Sequence, residues 1–259
     1  MWFLAALGAS HFAMVGFPLD TSGEQAFSSD LSRYIQVCTP EQLSPDKLVC
    51  VISDKSGAEL WIGLTKKGEG AVQLETANPA FIGSGSTKIF VTADASDPDW
   101  LPYEHRVQAQ FATGEAPIIL DLADPREAAQ FVPDARLDVD ITAFADELSN
   151  YESEAAYYDS QKIEKIKFAS NHFIPSGMFN EGLDEKKFPT AHALLAGSVL
   201  RAERRQNVVG KGSYWWALVE TFDGAKINVV VDAEALKSEP KVGSILSGSF
   251  WLSAPLAKH

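Results

Sequence analysis

Histidine is the residue most often used for acid–base and metal chemistry near neutral pH. The chain has five, at His11, His105, His172, His192 and His259. No two of them have the helical spacing of a metal-binding pair, so the sequence predicts no metal site. His172 is the candidate of most interest, because it lies in an aromatic-rich stretch close to Ser176. A structural histidine explains that position as well, and this interpretation is favoured.

Two groups of acidic residues could serve acid–base or calcium chemistry. Asp138 and Asp140 alternate along a predicted strand and would share one of its faces. A solvated strand face is the simpler explanation for that pair. Asp94, Asp97 and Asp99 fall in a proline-containing loop, but the glycine and the terminal glutamate of an EF-hand are missing.

Signatures of the common enzyme classes are absent from the sequence. It contains no dinucleotide-binding glycine motif, Walker loop, nucleophile elbow or HExxH zinc motif. Residues 83–88 have the composition of a phosphate-binding loop, but they precede a strand and therefore predict a turn. We expect no cofactor and assign no catalytic residue. An enzyme whose site is assembled by the fold, near His172 or the Asp138/Asp140 pair, remains an alternative.

Aromatic and basic side chains alternate along the C-terminal strands. They would form one surface, comprising Tyr214, Trp216, Lys226, Asn228, Arg201, Arg204, Arg205 and Lys211. Outward aromatics can stack on bases while cations follow a phosphate backbone, so this surface could bind single-stranded nucleic acid or an oligosaccharide. The same side chains could instead pack against another domain or a protein partner. Glu220, on the same strand face, favours this second interpretation.

Residues 189–259 give the clearest pattern of elements. A strand with an internal glycine is followed by a tight hairpin at residues 222–225, a short helix at 232–237 and a glycine-bracketed return strand. The segments LLAGSVLRAERRQN, WWALVETFDGAKINVVVD and KVGSILSGSFWL resemble an OB-fold barrel. They also resemble the tails of uncharacterised bacterial proteins, which implies no activity. Another small β-barrel or sandwich remains an alternative fold.

The preceding residues predict an α+β domain with a mostly antiparallel sheet. A capping box at Ser22 and Gln25 followed by helical periodicity predicts a helix that ends before Pro40. Short strands are predicted at 48–53, 59–64, 71–75, 88–92, 105–111, 118–122 and 136–142. Further helices are predicted at 124–131 and 143–151. A first strand is predicted at 10–17.

The distribution of charge supports a division of the chain. Residues 1–188 hold 14 Lys and Arg against 29 Asp and Glu, a net charge of −15, whereas residues 189–259 carry a net charge of +2. We expect an α+β domain at 1–160, an aromatic-rich connector packed at the junction at 161–188, and a small barrel at 189–259. The overall charge of −13 argues against a protein that coats nucleic acid with its whole surface.

Cys38 and Cys50 match no zinc or redox spacing, so two half-buried thiols are expected. The apolar opening stretch lacks the basic start of an export signal and the basic flank of a membrane anchor. The sequence therefore predicts a cytoplasmic protein with no membrane among its partners. It favours a non-catalytic binding protein with a protein partner, and nucleic acid is a possible ligand of the C-terminal unit.

Overall fold

The computed structural model describes residues 11–114, 116–176 and 190–257. Within these ranges the chain forms helices α1 (Glu24–Ile35) and α2 (Glu154–Ser160). The strands are β1 (Glu41–Gln42), β2 (Lys47–Ser53), β3 (Ala58–Lys66), β4 (Val72–Phe81), β5 (Thr87–Asp94), β6 (Arg106–Phe111), β7 (Pro117–Leu122), β8 (Arg136–Val139), β9 (Thr142–Tyr151), β10 (Phe173–Pro175), β11 (His192–Gln206), β12 (Ser213–Glu220), β13 (Lys226–Asp232) and β14 (Ile245–Ala254). No helix in the described ranges has the length and apolarity needed to cross a membrane.

These strands form two sheets. The first is antiparallel, with the order β1-β2-β3-β4. The second has the order β10-β11-β12-β13-β9-β14-β7-β6-β5-β8, and an additional pairing joins β11 to β14. That pairing closes five strands into a barrel, namely β9, β11, β12, β13 and β14. The predicted β-rich α+β class and C-terminal barrel are confirmed, and the barrel is compatible with the OB-like resemblance.

Strand β9 occupies the place where the sequence predicted a helix at 143–151, and that prediction is wrong. β9 pairs in parallel with β13 and antiparallel with β14. Its side chains alternate, since Ala143 and Ala145 belong to the barrel core while Phe144 belongs to the core on the opposite side. Burial on both faces removes the polar alternation by which a strand is recognised. The barrel thus includes a strand that precedes the predicted boundary at residue 160.

The N-terminal segment forms a 3-10 helix over Ala13–Val15, so the strand predicted at 10–17 is wrong. Met14, Val15 and Phe17 are all buried and belong to the core beneath the first sheet. The segment contacts β12, β13 and β4. A tight turn lets consecutive side chains pack in several directions, whereas a strand would send alternate residues to opposite faces.

Helix α1 is present as its periodicity predicts, with Phe27, Leu31 and Tyr34 buried. The predicted capping box is wrong, because Gly23 is the N-cap and no side chain caps the helix. The helix predicted at 124–131 is a 3-10 helix over Pro125–Gln130. The short helix predicted at 232–237 is wrong, because Asp232 ends β13 and residues 233–235 form a turn.

Cys38 and Cys50 are joined as a disulfide, with their Cα atoms 6.1 Å apart, so the expectation of two thiols is wrong. The bond links the chain just after α1 to β2. The described residues contain no free cysteine.

Residues 173–175 of the predicted connector lie against the barrel. Strand β10 pairs with β11, and Phe173 packs edge-on against Phe111 of β6 with ring centroids 5.1 Å apart. Residues 177–188, the C-terminal part of the predicted connector, fall outside the described ranges.

Candidate partner-binding surfaces

The aromatic face predicted to bind a ligand is covered by the chain itself. Tyr214 and Trp216 are both 0% exposed. Phe81, at the end of β4, packs against both rings with centroid distances of 6.1 Å and 6.5 Å. Because β12 presents these rings on the outside of the barrel, the first sheet and α1 have a surface to pack on. Neither ring is available to stack on a base in the folded chain.

Trp216 also belongs to a buried polar network. Its Nε1 donates to Asn228 Oδ1 at 3.0 Å, and Asn228 Nδ2 donates to Asp140 Oδ1 at 2.6 Å. The other Asp140 oxygen accepts from the backbone N–H of Gly83 at 2.6 Å. Burial raises the pKa of Asp140 to about 6, although hydrogen bonds from Asn228, Gly83 and Gly85 oppose this effect. The network joins the loop after β4 to the barrel.

Arg205 lies at the edge of the interface between the barrel and the first sheet and contacts both sides of it. Its guanidinium lies 4.0 Å from the Trp216 ring centroid, donates to Ser56 O at 2.8 Å and makes two hydrogen bonds to Glu203. Arg201 also pairs with Glu203, and Arg204 Nη2 lies 3.7 Å from Glu234 Oε1. These arginines are therefore paired with acidic side chains of their own chain.

Lys211 and Lys226 are exposed, whereas Asn228 is buried. The predicted ligand surface is thus divided between a buried interface and a rim of paired or exposed cations. This arrangement corresponds to the domain-packing interpretation that the sequence left open.

The residues proposed for a fold-assembled enzyme site make local structural contacts. His172 Nδ1 bonds Ala169 O at 2.8 Å, its ring lies 5.0 Å from that of Phe168, and burial lowers its pKa. Ser176 bonds to the backbone of Thr190 and His192. Asp138 lies in β8, where its carbonyl accepts from Ala257 N at 2.9 Å.

A cavity lies elsewhere, between α1 and the β3–β4 edge of the first sheet. It has a volume of about 310 Å³ and is lined by Ser28, Ser32, Ile35, Gln36, Leu64, Val72 and Leu74. His172, Asp138 and Asp140 are not among these residues, so the proposed acid–base candidates do not line it. Its lining contains no ionisable side chain.

The fold brings together His11 and His192, which no sequence pattern connects. His11 Nε2 lies 2.9 Å from Asp146 Oδ1, and His192 Nε2 lies 3.7 Å from Asp146 Oδ2. Asp146 sits at an irregularity in the β9–β14 pairing, which turns its side chain out of the regular alternation. The His11 ring stacks on Trp251 at 5.1 Å. No local sequence signal predicts this group, because its members come from distant parts of the chain.

A carboxylate between two imidazoles can orient both rings and exchange a proton with either. Burial lowers the pKa of His192, whose Nδ1 is buried without a hydrogen-bond partner. Among the described residues, no group of three or more His, Cys, Asp or Glu side chains could hold a metal ion.

The described N-terminal part exposes more carboxylates than cationic side chains. The exposed acidic residues are Asp20, Glu24, Glu41, Asp46, Asp94, Asp97, Asp99, Asp134, Asp146, Glu147, Glu152, Glu154, Asp159 and Glu164. Asp94, Asp97 and Asp99 lie together between β5 and β6. The side chains of Asp94 and Asp97 accept backbone N–H bonds from Ser96 and Asp99, both at 2.9 Å.

Comparison with protein-family models gave no match, and a search of curated proteins gave none either.

Proposed function

We propose that the protein is a non-catalytic binding protein whose acidic N-terminal surface contacts a basic protein partner. The observation that carries this proposal is the segregation of charge. Residues 1–188 have a net charge of −15, and many of their carboxylates are exposed. Charge of one sign over a surface steers a partner of the opposite sign and speeds its association.

The burial of the aromatic face of the barrel supports a protein partner over nucleic acid. Trp216 and Tyr214 are buried, and Arg205 is engaged with Glu203 and Ser56. A nucleic-acid site of the predicted kind needs exposed rings beside unpaired cations. Release of the first sheet from the barrel would be required to supply them.

Within the acidic surface, we assign the proposed contact to the loop between β5 and β6. Asp94, Asp97 and Asp99 are exposed there, and Trp100 anchors the loop beneath Arg106, whose guanidinium lies 4.8 Å from the indole centroid. Arg106 is itself held by Asp121 through hydrogen bonds of 2.6 Å and 3.0 Å. The loop is therefore fixed at one end while its carboxylates face solvent.

The test is affinity capture from source lysate at low salt, followed by binding measurements with the purified partner. The triple variant Asp94→Asn, Asp97→Asn, Asp99→Asn keeps the side-chain oxygens that accept the backbone bonds but removes the charges. We expect it to bind the partner several-fold more weakly and with a smaller dependence on salt. The matched control is Glu234→Gln, Glu239→Gln on the barrel, where both side chains are exposed, and it should bind as the wild type does.

Failure to recover a specific basic partner at low salt would refute the proposal. So would a partner whose binding responds to neither salt nor the triple variant.

The cytoplasmic location expected from the sequence stays a prediction. The Cys38–Cys50 disulfide does not favour that location, because disulfides form mainly in oxidising compartments.

A further inference from the structure

A short loop after α2 presents apolar and basic side chains to solvent. This lysine–isoleucine loop, residues 161–168, has the sequence QKIEKIKF. Ile163 is 90% exposed and Ile166 is 70% exposed, while Lys162, Lys165 and Lys167 are exposed around them. Three lysines and one glutamate give the loop a net charge of +2 in a chain whose net charge is −13.

The base of the loop is closed by a buried side chain. Gln161, which is 8% exposed, accepts from Phe168 N at 2.7 Å through Oε1 and donates to Phe168 O at 3.2 Å through Nε2. The side-chain amide thus pairs with both backbone groups of one residue, as a neighbouring strand would. The two ends of the loop are held together while its tip projects outward.

Helix α2 fixes this closed loop to the barrel. Tyr157 is 3% exposed and packs with Ala196 and Ile245 of the barrel. Its hydroxyl donates to Ala169 O at 3.3 Å, just beyond the loop. Because both sides of the loop base are anchored in this way, the exposure of Ile163 and Ile166 is a property of an ordered element.

We propose that the lysine–isoleucine loop docks reversibly on an anionic lipid surface. Lysines near such a surface are attracted by its negative potential, and apolar side chains at the tip can enter the boundary between headgroups and acyl chains. Charge complementarity favours a lipid surface over a protein, because lysine is depleted from protein interfaces. The strongly acidic remainder of the chain is repelled by the same lipids, so only the loop makes contact.

This peripheral contact departs from the expectation of no membrane partner, which was based on the lack of a spanning or anchoring segment. The lipid contact is also independent of the proposed basic protein partner. That partner would bind the acidic N-terminal surface, whereas the lipid contact uses the basic loop.

The test is co-sedimentation of the full chain with phosphatidylcholine vesicles, with and without phosphatidylserine. We expect binding only to the vesicles that contain phosphatidylserine, and loss of that binding at high salt. The double variant Lys165→Gln, Lys167→Gln should reduce the partition coefficient by about 25-fold, since each lysine near the surface contributes roughly a factor of five. Ile163→Ser, Ile166→Ser should reduce it by about tenfold or more.

The matched control is Val37→Ser, Val242→Ser, which removes aliphatic side chains that are 75% and 74% exposed elsewhere. It should bind the vesicles as the wild type does. Circular dichroism checks that each variant is folded. Absence of binding to phosphatidylserine vesicles, or equal binding by the isoleucine variant, overturns the proposal. A protein partner lost by the loop variants without any effect on vesicle binding would assign the loop to protein docking and also overturn it.

Discussion

At the scale of single residues, burial decides what each side chain can do. Trp216 has the type and position of a base-stacking residue, yet its buried ring packs against Phe81 and Arg205. Asp140 has the position of a candidate acid–base residue, yet its oxygens are taken by Asn228 and Gly83. Both side chains stabilise the interface between the barrel and the elements that cover it.

Substitution of Trp216 by alanine is expected to destabilise the fold. The variant loses a fully buried indole and its hydrogen bond to Asn228, which should lower the free energy of unfolding by about 3–5 kcal/mol. Urea denaturation followed by circular dichroism measures this change, with Phe222→Ala at an exposed ring as the control.

Titration of the wild type with single-stranded oligonucleotides should leave tryptophan fluorescence unchanged. Salt-sensitive quenching that depends on Trp216 would contradict the burial described above.

The elevated pKa of Asp140 predicts a dependence of stability on pH. The pKa is about 6 in the folded chain against an ordinary value of 3.8, so folding favours the protonated carboxyl. This contribution to the free energy of unfolding is present below pH 4 and is lost as the pH rises through 6, a change of about 3 kcal/mol. Urea denaturation across this range should show the decline in the wild type and its absence in Asp140→Asn. Asp99→Asn, on the exposed loop, should decline as the wild type does.

At the scale of elements, the β11–β12 hairpin holds the N-terminal 3-10 helix in place. Asn207 is 0% exposed and donates to Val15 O at 2.8 Å, while Gly212 N donates to Gly16 O at 3.1 Å. Gly16 has a φ of +74°, and a Cβ there would lie 2.6 Å from Asn207 Cβ. Both the backbone conformation and the close approach therefore require glycine at this position.

Gly16→Ala is expected to lower the free energy of unfolding by about 2 kcal/mol or more, because of left-handed backbone strain and the clash with Asn207. Hydrogen exchange should become faster in residues 12–17 and in β12, which they cover. Gly68→Ala is the control, since a Cβ at Gly68 would meet no atom within 4 Å. Equal stability of the two variants would show that the hairpin does not clamp the N-terminal segment.

At the scale of the whole molecule, the ten-stranded sheet extends the barrel into the strands that precede it. β14 pairs with β7, and this pairing links the barrel to β5, β6 and β8. The first sheet and α1 cover the outer face of the barrel, which is the usual ligand face of an OB-like fold. The proposed contacts through the acidic surface and the lysine–isoleucine loop therefore do not use this covered face.

Elements whose side chains alternate between core and solvent could be identified from the sequence. Helix α1 and strand β6 were found in this way, because one polar face gives a clear period. Strand β9 was missed for the opposite reason, since Ala143, Phe144 and Ala145 are all buried. The 3-10 helix at Ala13–Val15 was missed because its apolar residues show no period of either kind.

Which faces meet depends on contacts between distant parts of the chain. The alternation of Tyr214 and Trp216 places them outside the barrel, but it does not say whether water or another element covers them. The pairing of His11 and His192 with Asp146, the Cys38–Cys50 bond and the insertion of β9 into the barrel depend on contacts between distant parts of the chain. Local sequence patterns report the period of burial, whereas the identity of the covering partner is a long-range property of the fold.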